Sequence, residues 1–343
     1  MLRRKIILFA ALCAAAAFTG CGVRLTTGFG QDTLAKVAND KIGMDYAMLL
    51  LSEMSYSYER LFDSGVWEEP IGSVTAQEYV KQLVKDTLVH LKYLKLMAEE
   101  ENVAVSEAER GMLDEAAKEY WATLPQGART AEFDIETVRE FYGELLLAEK
   151  VFYEATSEVD TEVSADEARI VDVQYIFVST MTLSEEGEAV RLPASEYNSK
   201  KAFAESLLSL TEESDFAALA REYSDDSEYS MQFGSGERDA EFEKAAFSLE
   251  MGSISGLVET EYGYYIIKCI NDNIENNYEK RCEEIVLSRR TEAFSELYAG
   301  FVKNLETEFN EKEYEKLEMK NVASGSGQLY EIFGKYFVST QFD

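Results

Sequence analysis

The sequence predicts an α+β protein in which a small antiparallel-sheet domain, residues 170–274, is inserted into an otherwise all-helical domain. Three observations lead there. Apolar residues recur at three and four from Thr33 to residue 157, the period shortens to about two at residue 170, and helical spacing returns after Asn277. The inserted stretch opens and closes on β-rich runs, IVDVQYIFVS at 170–179 and YGYYIIKC at 262–269. A length of 343 residues with 46% hydrophobic content is enough for two domains with buried cores.

The N-terminus reads as a lipoprotein signal over residues 1–20. Arg3, Arg4 and Lys5 precede the apolar run IILFAALCAAAAF, which is short for a membrane-spanning helix. The run ends FTGC, and Thr19-Gly20 before Cys21 resembles a bacterial lipobox, with Phe18 departing from the aliphatic residue usual at its first position. Cys21 is therefore the candidate lipidation site. Two acyl chains there would hold the chain on a membrane, where one would not. The expected location is the extracytoplasmic face of the cell membrane. Residues 21–32 then read as a tether.

The helical domain is expected from two segments, 33–169 and 275–320, followed by a tail at 321–343. Its first helix is MDYAMLLLSEMSYSYERLF. The second starts at Thr75 with Glu78 three residues on, the third at Ser106 with Glu109, and both pairs match a capping box. A fourth covers Thr137–Ala155 with Phe141, Leu145 and Phe152 on one face. His90 sits within the second as an ordinary helix residue. Tyr46, Tyr56, Tyr58, Trp67, Tyr93, Tyr120 and Trp121 read mainly as core, with a groove for unfolded chains as the alternative. After the break GSG at 325–327, LYEIFGKYF forms one apolar helical face suited to docking on the body.

Charge and cysteine usage exclude several classes. Sixty-five acidic against 33 basic residues give −32, and loss of residues 1–20 makes it −35. Such a surface repels nucleic acid. One histidine and no C-x-x-C argue against a zinc site or a Ser-His-Asp triad, and no metal or cofactor is expected. Once Cys13 leaves with the signal and Cys21 is lipidated, Cys269 and Cys282 remain, as a pair or as two free thiols, the latter preferred. FGSGE lacks the lysine of a phosphate loop, and AEEEN and SDDSE lack calcium-loop spacing.

In the inserted domain, IVDVQYIFVS is a strand and TMTLSEEGEAVRLPASEYN a polar loop. NSKKAFAESLLSL, DFAALAREYS and FEKAAFSLEMGS are helices, and ISGLVET and YGYYIIKCIN two closing strands. The stretches DVQYIFVS, DFAALAREYSDD and FEKAAFSLEMGSISGLVETEYGYYIIK resemble the parvulin-type peptidyl-prolyl isomerases in order, spacing and residue type across 172–273. With the lipobox and flanking helices, the whole chain looks like a foldase lipoprotein of the PrsA type. That resemblance implies an extracytoplasmic protein that assists the folding of unfolded secreted polypeptides, including their Xaa-Pro segments, with helices that cradle the client.

The resemblance also implies a site. In parvulins two histidines, a Cys or Asp, and a Ser or Thr form its polar centre. Here Asp226 and Thr260 match the last two, while Tyr175 and Tyr265 stand where the histidines are expected. Phe233 and Phe242 match the apolar pocket for proline, and Arg238 falls where a methionine is usual. A peptidyl-prolyl isomerase breaks no bond. It lowers a rotational barrier of about 18–20 kcal/mol by favouring the twisted amide over the planar one. Two readings stay open: an isomerase weakened by loss of both histidines, and a holdase with a degenerate isomerase module.

Overall fold

The computed structural model describes residues 23–25, 29–30, 32–129, 132–184, 187–274 and 278–337. The signal, Cys21, most of the tether and the last residues of the tail lie outside that set. The chain divides into two compact units, one formed by Met1–Val159 with Arg290–Asp343 and the other by Asp160–Arg289.

The first unit is built from helices α1 (Met44–Phe62), α2 (Ala76–Glu100), α3 (Glu107–Thr123) and α4 (Ile135–Ala155). Both capping boxes read from the sequence form: Thr75 and Ser106 accept the backbone N–H groups of Glu78 and Glu109, whose carboxylates reach back. Apolar faces of the four helices meet in a core that includes Leu50, Val84, Leu91, Phe141 and Phe152. A buried ion pair between Lys92 and Glu144 joins α2 to α4, and burial holds the Glu144 carboxyl above its ordinary range.

This unit is not all-helical, which corrects the sequence reading. Strands β1 (Val23–Leu25), β2 (Thr33–Val37) and β3 (Asp40–Gly43) join β12 (Thr307–Phe309) in a sheet ordered β1-β12-β2-β3. β1 runs parallel to β12 and the other pairs are antiparallel. The strands escaped detection for physical reasons. β2 is buried along nearly its whole length and shows no alternation. Its partner β12 lies at the far end of the chain, beyond the inserted unit. Val23–Leu25, read as tether, therefore belongs to this sheet. The helical pattern assigned to 277–320 likewise ends at Val302, before β12 and the short helix α10 (Glu311–Tyr314).

The tail helix α11 (Leu329–Phe337) docks on α1, α3 and α4. Buried Glu53 of α1 accepts hydrogen bonds from the Tyr120 hydroxyl at 2.8 Å and from the backbone N–H groups of Ser326 and Leu329 at 2.9 and 3.3 Å. Gly325 permits this close approach, since a Cβ would lie 2.3 Å from Glu53 Oε1 and the carboxylate would have to shift to admit it. Tyr142 donates to the Leu329 carbonyl at 2.7 Å.

The second unit centres on a four-stranded antiparallel sheet ordered β10-β11-β6-β9. After α5 (Ala165–Ala168) comes β6 (Ile170–Ser179), then a small hairpin of β7 (Met181–Leu183) and β8 (Ala189–Arg191). That hairpin and the first turn of α6 (Ala194–Leu210) occupy the stretch read as a loop; the hairpin's three-residue strands are too short to set a period. Helix α7 (Phe216–Tyr223), strand β9 (Ser230–Gly234), helix α8 (Ala240–Phe247), and strands β10 (Val258–Glu259) and β11 (Gly263–Asn271) follow. β9 was not anticipated; the glycines of FGSG masked a five-residue strand. The unit extends beyond 170–274 because flanking residues pack with it. Arg289 pairs with Glu167, and Arg281, from the start of α9 (Tyr278–Val302), donates to the Ser235 carbonyl and to Glu237. Cys269, buried in β11, and half-buried Cys282 are free thiols.

His90 gives the first unit a titratable reporter. Its Nδ1 lies 2.6 Å from the Tyr298 hydroxyl, and burial depresses its pKa to about 4 from an ordinary 6.5. Between those values the unfolded chain binds a proton that the folded chain does not, so stability falls as pH drops through that window. The difference corresponds to about 3 kcal/mol. Denaturant titrations of the wild type and His90→Gln between pH 7 and 5 should show a shallower loss of stability in the variant, and parallel curves would refute the assignment.

Candidate active site

The site grows from the pairing of β6 with β11. Their antiparallel register sets Tyr265 opposite Phe177 and Ile267 opposite Tyr175. Alternate side chains point to opposite faces of a strand. Val173, Tyr175 and Phe177 therefore share one face with Tyr265 and Ile267, and that face packs on Phe233 and Phe242. The other face carries Ile176, Val178, Tyr264 and Ile266 against α6 and α7. Tyr175 and Tyr265 are diagonal neighbours, with ring centroids 5.8 Å apart. Adjacent identical residues in YGYYIIKC thus have different fates: Tyr264 enters the core beneath the helices, and Tyr265 enters the site.

Asp226 reaches the same face from the loop that follows α7. The Ser224 hydroxyl accepts the N–H of Phe177 at 3.1 Å, and the Asp225 N–H donates to the Phe177 carbonyl at 2.8 Å. These bonds hold the loop along β6 and aim Asp226 at Tyr175. The Tyr175 hydroxyl donates to Asp226 Oδ2 at 2.8 Å, while Oδ1 accepts the Glu228 N–H at 3.1 Å. Both carboxylate oxygens are engaged.

An aromatic cluster surrounds this bond. Phe242 meets Tyr175 edge-on at 5.9 Å and Tyr265 edge-on at 4.9 Å, and Phe233 lies 5.6 Å from Phe242. Tyr265 stacks on Phe177 at 4.5 Å. Phe233 and Phe242 are only 1% and 3% exposed, so in this conformation they form a floor beneath the tyrosines rather than an open wall. Thr260 is placed differently from the rest. It sits in the β10–β11 turn, where its hydroxyl donates to the Gly263 carbonyl at 3.2 Å and accepts the Tyr262 N–H at 3.3 Å.

Both phenols are held protonated. Burial, followed by the hydrogen bond to Asp226 and its charge, lifts Tyr175 well above the ordinary phenol range. Tyr265 is pushed up to about 12, by burial first and then by Asp226 and Asp239, with Arg238 acting the other way. Arg238 lies in a turn whose backbone N–H groups, those of Gly236, Glu237 and Arg238, all donate to the Glu243 carboxylate. The arrangement offers neutral hydroxyls, a bonded carboxylate and an apolar floor. It holds groups that can orient an amide and none that need exchange a proton.

The structure thus brings Tyr175, Tyr265, Asp226, Phe233 and Phe242 together and places Thr260 in the adjoining turn. Phe177, which stacks on Tyr265, was not singled out from the sequence. Its spacing of two from Tyr175 within a strand was the available signal.

Comparisons with known proteins agree on the type of domain. Residues 189–271 match the Rotamase family, described as the PPIC-type PPIase domain. The matched span contains Asp226, Phe233, Phe242, Thr260 and Tyr265 and begins after Tyr175. A foldase protein PrsA of Caldanaerobacter subterraneus is 28% identical over 78% of this chain and 82% of its own length. A foldase protein PrsA of Clostridium botulinum is 25% identical over 87% of this chain and 94% of its own. Among solved structures, a PrsA peptidylprolyl isomerase from Bacillus anthracis is 17% identical over 63% of this chain and 95% of its own, with a TM-score of 0.36.

The bond between Tyr175 and Asp226 is expected to stabilise the sheet. A hydrogen bond to a charged group contributes about 1.5–3 kcal/mol. Tyr175→Phe should lower hydrogen-exchange protection of the β6 amides in the full chain by about tenfold or more. Tyr265→Phe, which retains the ring contacts, should change it by less than about threefold. Equal effects of the two variants would remove the special status of the Tyr175–Asp226 bond.

Proposed function

We propose, for a PrsA-like chain that carries a parvulin-type peptidyl-prolyl isomerase domain, that this protein is a lipid-anchored extracytoplasmic foldase whose isomerase step is weakened. By family resemblance it is a peptidyl-prolyl isomerase. The finer reading rests on one observation: the Tyr175 hydroxyl is committed to Asp226 while the Tyr265 ring covers Phe242. The residues standing at the histidine positions pack on one another, and Tyr175 bonds Asp226, over the floor where a proline ring would seat. Unfolded secreted polypeptides are the clients, and client holding resides in the unit built around the helices.

The chemistry explains the expected loss. Unaided Xaa-Pro rotation takes tens to hundreds of seconds. Acceleration requires contacts that strengthen as the amide twists. A hydroxyl already donating to a carboxylate must give up that bond before it serves the substrate. Each ~1.4 kcal/mol of lost transition-state stabilisation slows the step about tenfold. Two displaced polar partners would lower the rate by about a hundredfold relative to a parvulin domain with both histidines.

A proline-isomerisation assay on the mature chain tests this. Weak or absent acceleration is expected, with Asp226→Ala causing little further change and suppression of client aggregation retained. The double change Tyr175→His and Tyr265→His should raise the rate if the floor at Phe242 opens. Wild-type activity equal to that of ordinary parvulin domains, abolished by Asp226→Ala, would overturn the weakened-enzyme reading.

Anchoring is proposed from the sequence alone. The FTGC stretch after a short apolar run supports lipid on Cys21. Cys21→Ser should leave the signal uncleaved by the lipoprotein route and abolish metabolic labelling with a fatty acid. Undiminished labelling of the variant would refute Cys21 as the site.

A further inference from the structure

The first unit exposes a second feature, separate from the isomerase site. Leu61 and Phe62 at the end of α1 are 68% and 61% exposed, and Tyr79 in the first turn of α2 is 44% exposed. Between them in sequence, the hairpin of β4 (Pro70–Ile71) and β5 (Val74–Thr75) presents Ile71 and Val74 as directly opposed partners, also exposed. Side chains so opposed stand next to one another on one face. These groups occur within one short segment, residues 58–79.

The strip rests on a built support. Tyr58 lies 6.4 Å from Phe62 and stacks on buried Trp67 at 5.5 Å. Trp67 Nε1 donates to the Glu59 carboxylate at 3.0 Å, fixing the indole beneath. The turn Val66–Glu68 that carries Trp67 packs on both α1 and α2, and so links the end of α1 to the start of α2. Asp63 ends α1 at φ 73°, and its carboxylate accepts the Gly65 N–H at 2.7 Å. Leu61 and Phe62 thus face solvent from an ordered helix end. Exposed apolar side chains gathered within one short ordered segment point to an interaction surface.

Charge decides what it takes. Asp63, Glu68, Glu69 and Glu78 are exposed around the strip, and Arg60 is the one basic residue within 58–79. A second copy of this chain would bring the same acidic rim and a net charge of −32 against its like. An anionic membrane surface is repelled for the same reason. A segment with apolar residues between lysines or arginines is attracted at both its parts.

We infer that the strip formed by Leu61, Phe62, Ile71, Val74 and Tyr79 binds unfolded polypeptide segments whose apolar residues are flanked by Lys or Arg. This assignment depends on the client-holding role proposed above and gives that role a surface and a sequence preference. Binding makes and breaks no covalent bond. It weakens with salt, because the rim lies in solvent where charges are screened within about 10 Å at 0.1 M.

The mature full chain provides the test, with a fluorescent unstructured peptide carrying a Leu/Phe core between lysines, and the same core between glutamates. The lysine form should bind at least about tenfold more tightly at low salt, with the gap closing as salt rises. The double variant Leu61→Ser and Phe62→Ser should weaken binding about tenfold or more while leaving the far-ultraviolet spectrum and melting unchanged, since both side chains are exposed. Glu68→Lys with Glu69→Lys should narrow or reverse the preference. Equal binding by the double serine variant, or indifference to flanking charge, would overturn the inference. So would self-association by sedimentation that the serine variant abolishes, which would make a second copy the occupant. If the wild type suppresses client aggregation and the serine variant does so equally, this surface alone is refuted. If the wild type suppresses none and binds neither peptide, the client-holding reading falls with it.

Discussion

The antiparallel register between β6 and β11 is the constraint on which the second unit depends. It puts Phe177 opposite Tyr265 and Tyr175 opposite Ile267, and so assigns each side chain to one of two cores. A slip of one residue would exchange them, because the side-chain period of a strand is two. Gly263 helps hold the register. A Cβ there would lie 2.3 Å from the Val178 carbonyl oxygen, so the two backbones meet where only glycine fits. Tyr175 and Tyr265 become diagonal neighbours as a consequence of this pairing.

β6 also explains why Asp226 is where it is. Along Ile170–Gln174 the strand pairs with β9 on the side away from β11. Beyond Gln174 that side has no strand, and the loop after α7 takes its place. The Tyr229 carbonyl, the Ser224 hydroxyl and the Asp225 carboxylate accept the N–H groups of Tyr175, Phe177 and Ser179 in turn. Buried backbone donors need partners, so a polar loop is bound to this edge whatever its catalytic use. Asp226 is carried into the aromatic cluster by the same bonds. The position of residue 226 is therefore set by architecture, and its carboxylate is used on the Tyr175 hydroxyl and the Glu228 N–H.

How much of this was legible follows from the range of each interaction. The capped helices were readable to within a residue because their signals are local: Thr75 with Glu78, Ser106 with Glu109, and apolar faces at helical spacing. The sheet of the first unit was not, since β2 and β12 pair across most of the chain and each is too short to show a period. The hairpin of β7 and β8 has three residues in each strand, too few for its apolar side chains to set a period. Tyr175, Asp226, Phe233, Phe242 and Tyr265 were found through the family resemblance. Spacing alone would have yielded Tyr175 and Phe177 on one face and said nothing of Asp226, which arrives from a loop. That Thr260 serves the β10–β11 turn could not be read from residue type.

Tyrosine and histidine would give this site different chemistry. An imidazole near its ordinary pKa can be neutral or charged in the biological range. The Tyr265 phenol, pushed up to about 12, is neutral throughout it. Histidine offers a ring nitrogen at each end of a small ring, whereas tyrosine offers one oxygen at the end of a larger one. Tyr175 directs that oxygen to Asp226, and Tyr265 uses its ring on Phe177 and Phe242. The centre is a packed aromatic group with the Tyr175–Asp226 hydrogen bond inside it. Such a group gains stability from contacts within the domain, and a substrate proline must displace some of them to enter. Tight internal packing and fast isomerisation compete for the same side chains, which is the physical ground for the weakened isomerase step proposed above.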